Sequence, residues 1–452
     1  MPLNKVHNPS EYGDLRPLSI LPIFSKVLER IMLDQLSVYV NMNSILPGNQ
    51  SGFRAGHSCS SALLNILDDI LRAHDNNRVT VLVLLDFTKA FDTINHDLLL
   101  SKLRYFGLSG SAIELIHSFL DGRSQYVSLS DNCSSIMHVA SGVPQGSILS
   151  PLLYSLYTSG LQDSISYCNY HFYADDTQLY YSFLPKETEE ANIKINEDLN
   201  SLATAAGKHS LKINPNKSSV LIFGPTEAVS CVRTLLNVKV DGKTISIVDS
   251  AKNLGVIIDS QLKFGNHVKN LIQKAFFKLK LLYSSRHFFD SSTKRFLCDS
   301  LILSNFNYCY EVYGVFLSHF WQSKLQRVQN CCLRFIYSIR KHQHISHTLT
   351  VANWLNMKNR LHYHTVALIH RVLTEKKPSY LHRKIKFRTD IHNVNIRRKN
   401  LICCPKHKLQ IFKRSFTYLA FKLYNSIPHV YKLLSVNKFK VQYKQRLLDM
   451  QN

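Results

Sequence analysis

The feature that most constrains this chain is a pair of adjacent carboxylates inside an aromatic, strand-forming run, His171-Phe172-Tyr173-Ala174-Asp175-Asp176-Thr177-Gln178-Leu179-Tyr180. Tyr170, Phe172 and Tyr173 on one side, and Leu179, Tyr180 and Tyr181 on the other, favour extended backbone. The stretch therefore predicts a β-hairpin with the acids at its tip. Neighbouring carboxylates repel, and burying them unpaired is costly. A hard divalent cation such as Mg²⁺ relieves both penalties, because it takes oxygen ligands and keeps positions open for phosphates. The alternative reading is an ordinary solvated turn, where Asp is common.

A third acid lies far upstream. Val79-Thr80-Val81-Leu82-Val83-Leu84-Leu85 is apolar at every position but Thr80, the pattern of a strand covered on both faces, and it ends in Asp86. If that strand neighbours the acidic hairpin in one antiparallel sheet, three carboxylates meet at one end, the arrangement of a two-metal site. Between them, Phe87–Asp92 turns into a helix holding Leu98 to Leu103, and a second helix runs from Ala112 to Leu120. Tyr126–Ser130 and Ile136–Ala140 read as a hairpin around Asp131-Asn132. Gly142-Val143-Pro144-Gln145-Gly146-Ser147 is a tight turn opening a helix from Leu152 to Leu161.

The flanks are organised around these segments. Ser25 is a candidate N-cap for a helix over residues 26–32. Gln50–Ser58 is a glycine-bounded loop carrying Arg54, and a helix follows from about Ser60 with Leu63, Leu64, Ile66, Leu67, Ile70 and Leu71 as its buried stripe. Downstream come a helix over 188–206, a strand over 220–223 and an Asp241-Gly242 hairpin. From Asn266 the period becomes 3.6, with Val268, Leu271, Ile272, Ala275, Phe276, Leu279 and Leu282 on one face. Residues 290–370 continue mostly helical.

The formal net charge is +24, and residues 371–452 carry twenty Lys and Arg against Glu375, Asp390 and Asp449. Such a basic region suggests a polyanionic partner, nucleic acid before membrane surface, or else a solubilising tail. The ten cysteines form no Cys-x-x-Cys pair, and no secretory segment or membrane-spanning run is present, so reduced thiols and an intracellular setting are expected. His342, His344 and His347 lack carboxylate or thiol company and read as surface residues. Trp321 and Trp354 read as core.

Taken in order, Leu15–Leu21, Gln50–Arg54, Leu84–Asp92, Ser141–Pro151, Tyr173–Leu179, Leu211–Lys217 and Leu254-Gly255 resemble the polymerase blocks of a non-LTR (LINE-type) retrotransposon reverse transcriptase. The likeness covers about residues 5–290, and Lys324–Asn330 and Tyr424–Pro428 resemble downstream regions of the same elements. It implies an α+β right-hand polymerase: fingers and an antiparallel-sheet palm over 1–224, primer-grip strands and the start of a thumb over 225–290, a helical thumb or connection over 291–370, and a basic nucleic-acid-binding region over 371–452. It also implies the polymerase portion without the endonuclease that full-length elements carry ahead of it.

The resemblance assigns roles residue by residue. Asp86 and Asp175 would ligate two Mg²⁺ ions, with Mn²⁺ as a substitute and Asp176 as a third, weaker ligand. Phe91 matches the aromatic gate that excludes a 2′-hydroxyl, or else is a plain core ring, and Phe87 stands with it among the substrate-binding residues. Gln145 and Gly146 match the turn that packs on the incoming nucleotide. Arg16 and Arg54 match donors to the triphosphate, for which a planar guanidinium is suited. Lys217 matches a proton donor to pyrophosphate, or is a solvated lysine; Leu254-Gly255 would lie at the primer grip, and Lys269, Lys274 and Lys278 would touch template and primer. The partners implied are an RNA template (element RNA included), a DNA primer and deoxynucleotides, in the nucleus and in cytoplasmic ribonucleoprotein. The rival is a catalytically silent nucleic-acid-binding remnant.

Overall fold

Strand β1 (Val79–Leu85) decides where much of the chain goes, because successive side chains on a strand point to opposite faces. In the computed structural model, which describes residues 2–4, 15–129, 132–390 and 401–451, that alternation divides two cores. Val79, Val81, Val83 and Leu85 enter one, together with Leu153, Tyr154, Leu199 and Leu202. Leu82 enters the other, together with Leu63, Ile66, Tyr180 and Leu221. The near-continuous apolar run of β1 is thus explained by two-sided burial.

Strand β1 joins β2 (Asn169–Tyr173), β3 (Asp176–Phe183) and β4 (Ser219–Phe223) in an antiparallel sheet ordered β4-β1-β3-β2. The β1–β3 register runs from Val79 opposite Phe183 to Leu85 opposite Thr177. In β2–β3, Tyr173 pairs with Asp176, leaving Ala174 and Asp175 as a two-residue turn.

Helix α1 (Ile23–Met42) starts earlier than the sequence suggested. Pro22 precedes its first turn, and Ser25 lies inside the helix, donating its hydroxyl to Glu29. Helix α2 (Cys59–Asp75) begins where expected, with Ser58 and Ser61 exchanging reciprocal capping hydrogen bonds. Helices α3 (Ser150–Thr158) and α4 (Thr188–Lys208) supply the Val79-side core. The expected hairpin of Tyr126–Ser130 and Ile136–Ala140 is replaced by two short antiparallel ladders, Ser124–Gln125 with Met137–His138 and Ser128–Leu129 with Asn132–Cys133, while Ser130 and Asp131 lie outside the described residues. Asp241 and Gly242 take φ of 49° and 74°, the paired positive values a type I′ hairpin needs.

Helix α5 (Gly265–Ser284) buries Val268, Ala275, Leu279 and Leu282 as expected, but Phe276 is 41% exposed. It sits one residue, about 100° of turn, beyond Ala275 and off the buried face. Helices α6 (His319–Tyr337), α7 (Met357–Glu375) and α8 (Val436–Asp449) complete the second core, where Trp354 is buried and Trp321 partly so.

The basic C-terminal region is largely docked. Leu381, Phe412, Phe416, Phe439 and Leu447 belong to the same core as α2 and α5. Acids of α2 hold it in place. Asp68 accepts from the Thr417 amide and hydroxyl at 3.0 Å each, and Asp75 accepts from the Lys408 and Leu409 amides. Lys384 meets Asp69 at 2.6 Å. Part of the sequence's positive excess is therefore answered within the fold. Among the described residues no helix is long and apolar enough to cross a membrane.

Candidate active site

Asp86 follows the last residue of β1, and because the β1–β3 ladder ends at Leu85 opposite Thr177, Asp86 and Asp176 stand next to its last rung, one on each strand. Asp175 precedes Asp176 in the tight turn. The three acids, remote in sequence, therefore share one end of the sheet. Their mutual influence is visible in the charge of Asp176. Although that residue is exposed, desolvation of its carboxyl, then the charges of Asp175 and Asp86, push its pKa up to about 6, with Lys252 pulling the other way. Burial sets the direction first, and the like charges that the turn and the sheet end bring close add to it.

The turn is held under tension from below. Ala174 takes φ of 56°, an uncommon value for a residue with a β-carbon and one that primed hairpin turns demand. The loop at Gln50–Gly52 runs beneath it, with the Ser51 amide donating to Phe172 O at 2.9 Å. A β-carbon at Gly52 would overlap the Ala174 backbone nitrogen, so only glycine allows this approach. Ser51 Oγ also meets His171 Nε2 at 2.9 Å and Tyr380 Oη at 2.8 Å, and Tyr380 Oη meets Ser61 Oγ at 2.9 Å. The C-terminal region is thereby wired to the strand that enters the acidic turn.

Asp86 is fixed by its backbone. Its amide donates to Ser218 Oγ at 3.3 Å, and its carbonyl accepts from the Asn214 amide at 2.8 Å. Lys217 is exposed on that same turn. Phe91 stacks on Tyr154 with ring centroids 4.5 Å apart, and Phe53 meets it edge-on at 6.5 Å. The buried Tyr154 hydroxyl meets no hydrogen-bond partner among the described residues. Burial, then the charges of Asp175 and Asp176, push its pKa well above the usual phenol value. Gln145 donates from Nε2 to Asp92 Oδ1 at 2.7 Å, and the Val143 amide donates to Phe91 O at 2.8 Å, so the Pro-Gln-Gly turn and the Phe91 loop form one unit. Gly146 lies beside Ser19 O in the same turn. Glu29 of α1 accepts from the Ser147 hydroxyl and from the amides of Ile148 and Leu149, closing the start of α3.

Residues 5–258 match the family profile described as reverse transcriptase (RNA-dependent DNA polymerase). The chain belongs to the reverse transcriptase family. It is 31% identical over 297 residues to the probable RNA-directed DNA polymerase from transposon BS of Drosophila melanogaster, covering 62% of this chain and 31% of that protein. It is 30% identical over 352 residues to the probable polymerase from transposon X-element of the same organism, covering 74% and 37%. To the RNA-directed DNA polymerase from mobile element jockey of Drosophila funebris it is 29% identical over 320 residues, covering 68% and 34%. The chain thus spans about a third of the length of these curated relatives. The resemblance to LINE-type reverse transcriptases read from the blocks holds.

Several roles expected from the family meet structural detail. Phe87 is 6% exposed and packed in the core with Leu85 and Ile213, so its ring is not a substrate-facing group. The cause is alternation: one step after Asp86, the side chain returns to the buried side. Arg54 donates from Nη1 to Pro47 O at 2.8 Å and is half-buried, which lowers its pKa from the ordinary value. The Arg16 side chain lies outside the described residues. Lys278 donates to Leu301 O at 2.8 Å, whereas Lys269 and Lys274 are exposed. Leu254-Gly255 is braced by Tyr308, whose hydroxyl donates to Leu254 O at 2.8 Å. His342, His344 and His347 are exposed.

Sequence reasoning passed over Gly52, Glu29, Tyr154 and Lys252. Glu29 could have been suspected as the acid of an otherwise apolar helical stripe. Lys252 gave no signal, since its place beside Asp176 depends on its local hairpin packing against residues remote in sequence, as the Gln178–Asn253 hydrogen bond shows.

The three carboxylates fit a divalent cation in donor chemistry, because they are hard oxygen ligands whose repulsion a cation relieves. Among the described residues no three acid, His or Cys side chains are grouped closely enough to hold a metal ion, so the acids meet the cation's donor chemistry without forming a complete protein ligand set. Reverse transcriptases generally use divalent metal ions.

Proposed function

We propose that this chain is an RNA-directed DNA polymerase that extends a primer 3′-hydroxyl with deoxynucleotides on an RNA template. The observation that carries the reading is that Asp86 and Asp176 flank the last rung of the β1–β3 ladder, Leu85 opposite Thr177, one residue from the Asp175 turn, in a chain of the reverse transcriptase family. Asp86 and Asp175 would hold two Mg²⁺ ions, or Mn²⁺ in their place, with Asp176 assisting. When bound, such ions activate the attacking hydroxyl and steady the leaving pyrophosphate.

The chain's own residues supply position and selection, which phosphoryl transfer chiefly needs. Phe91, backed by Tyr154, limits room beneath the sugar. Gln145 and Gly146 form the floor for the base pair, fixed to the gate loop through Asp92. Arg54 turns from Pro47 O toward the triphosphate, with Arg16 as its companion. Lys217, tethered beside Asp86 by Asn214 and Ser218, is placed to neutralise pyrophosphate. The right-hand division follows: fingers and palm to residue 224, primer grip and thumb start to 290, thumb to 370, and a docked basic region beyond.

Primer extension on poly(rA)/oligo(dT) with Mg²⁺ tests this, comparing wild type with Asp175→Ala. Product from the wild type alone supports it. No product above the variant, with normal duplex binding, leaves a nucleic-acid-binding remnant.

A further inference from the structure

A second polar cavity lies away from the acids, among the C-terminal helices. Its volume is about 250 Å³, and its walls include Arg295, Arg360, Lys444, Asp299, Trp354 and Tyr363. Arg360 is 9% exposed, and its Nη1 donates to Asn307 Oδ1 at 2.8 Å. Its Nε is buried without a hydrogen-bond partner among the described residues. A guanidinium on the wall of a polar cavity is a ready donor to an acidic ligand or to water.

Charge and shape narrow that acceptor. Asp299 is engaged already, with Arg295 at 3.8 Å and with the Trp354 indole nitrogen at 3.4 Å. Three cations facing one acid leave two positive charges. His364 also lines the cavity but adds none, since burial, then Arg360 and Lys440, push its pKa down to about 4. Burial, then Arg360 and Arg295, lower the pKa of Lys444, with Asp299 pulling the other way, as expected where cations outnumber the acid. Trp354 and Tyr363 give one wall an apolar surface. The cavity is smaller than the roughly 300–1,000 Å³ of pockets for drug-sized ligands, so it suits a phosphate with its sugar rather than an extended molecule.

We propose that this cavity binds a phosphate monoester, the 5′-phosphate of a free nucleotide or of a nucleic-acid strand. A monoester is close to dianionic at neutral pH, matching the excess charge, whereas an internal phosphodiester carries one charge. The Arg360 fork addresses two phosphate oxygens, and Arg295 and Lys444 answer from the rim.

Calorimetric titration of the full chain with adenosine 5′-monophosphate, against adenosine, tests the site. Saturable binding of the nucleotide and none of the nucleoside is expected. Arg295→Ala and Lys444→Ala, both partly exposed, should each weaken it about tenfold with an unchanged thermal midpoint. These rim variants keep the test open if Arg360→Met fails to fold. A 5′-phosphorylated oligonucleotide that binds more tightly than its 5′-hydroxyl counterpart, with the difference lost in Lys444→Ala, assigns a strand end. No such difference, with the mononucleotide still bound, assigns a free nucleotide. Equal heats for nucleotide and nucleoside up to about 10 mM, or wild-type affinity in both folded rim variants, overturn the proposal. Binding is read without primer extension, so an inactive polymerase leaves the test intact.

Discussion

Asp86 and Asp176 stand at the same end of a β-ladder, each next to its last rung, because Leu85 pairs with Thr177. That register is pinned by burial on both sides of β1, since a one-residue slip would exchange the side chains assigned to the two cores. The carboxylates thus converge as a consequence of packing rather than of any attraction between them.

Gly52→Ala is expected to disturb the acidic turn, because the new β-carbon overlaps the Ala174 backbone. A shift of about 1 Å at reacting groups costs on the order of 10²-fold in rate. Single-turnover primer extension should fall by about that factor while duplex affinity holds. A wild-type rate would show that the loop does not set the turn.

Phe91→Ala removes a ring that stacks on Tyr154 at 4.5 Å. The ratio of kcat/KM for deoxynucleotides over ribonucleotides should drop by about tenfold to a hundredfold, the scale at which sterics discriminate small groups. An unchanged ratio would mark Phe91 as a core ring.

Tyr380→Phe deletes the hydroxyl shared by Ser51 and Ser61 in a buried network. Leaving such groups unsatisfied costs about 1–3 kcal/mol. Urea unfolding should show a lower midpoint with an unchanged slope. An unaltered midpoint would mean that the docked C-terminal region draws nothing from this contact.

Acid should destabilise the protein through its buried histidines. Burial, then the charges of His57 and Lys384, push the pKa of His171 from 6.5 down to about 3. The unfolded chain therefore takes up a proton that the folded chain refuses. The stability that His171 contributes is fully present above pH 6.5 and is lost as pH falls from there toward 3. For one fully titrating group the slope is about 1.4 kcal/mol per pH unit. His57 and His267, both lowered to about 4, act in the same direction. Thermal midpoints measured from pH 7.5 to 5 should fall; a flat profile would contradict this burial.

Much of this was legible in the residues themselves. The strand ending at Asp86, the aromatic hairpin and the Asp241-Gly242 turn announce themselves through alternation and turn chemistry, which are local. What escaped the sequence depends on distant pairing. Phe87 is core because the sheet turns it inward; Arg54 bonds its own loop; Lys384 meets Asp68 and Asp69 of α2, and backbone amides of the C-terminal region meet Asp75. No local pattern encodes those meetings.

The most direct test of a single carboxylate site is the primer-extension rate of Asp86→Asn, Asp175→Asn and the double variant, each normalised to duplex binding. If the acids act as one unit, each single change should cost at least about 10³-fold and the double variant no more than either, as for groups that work together. Small single effects, or losses that multiply in the double variant, would show that the acids do not share one centre.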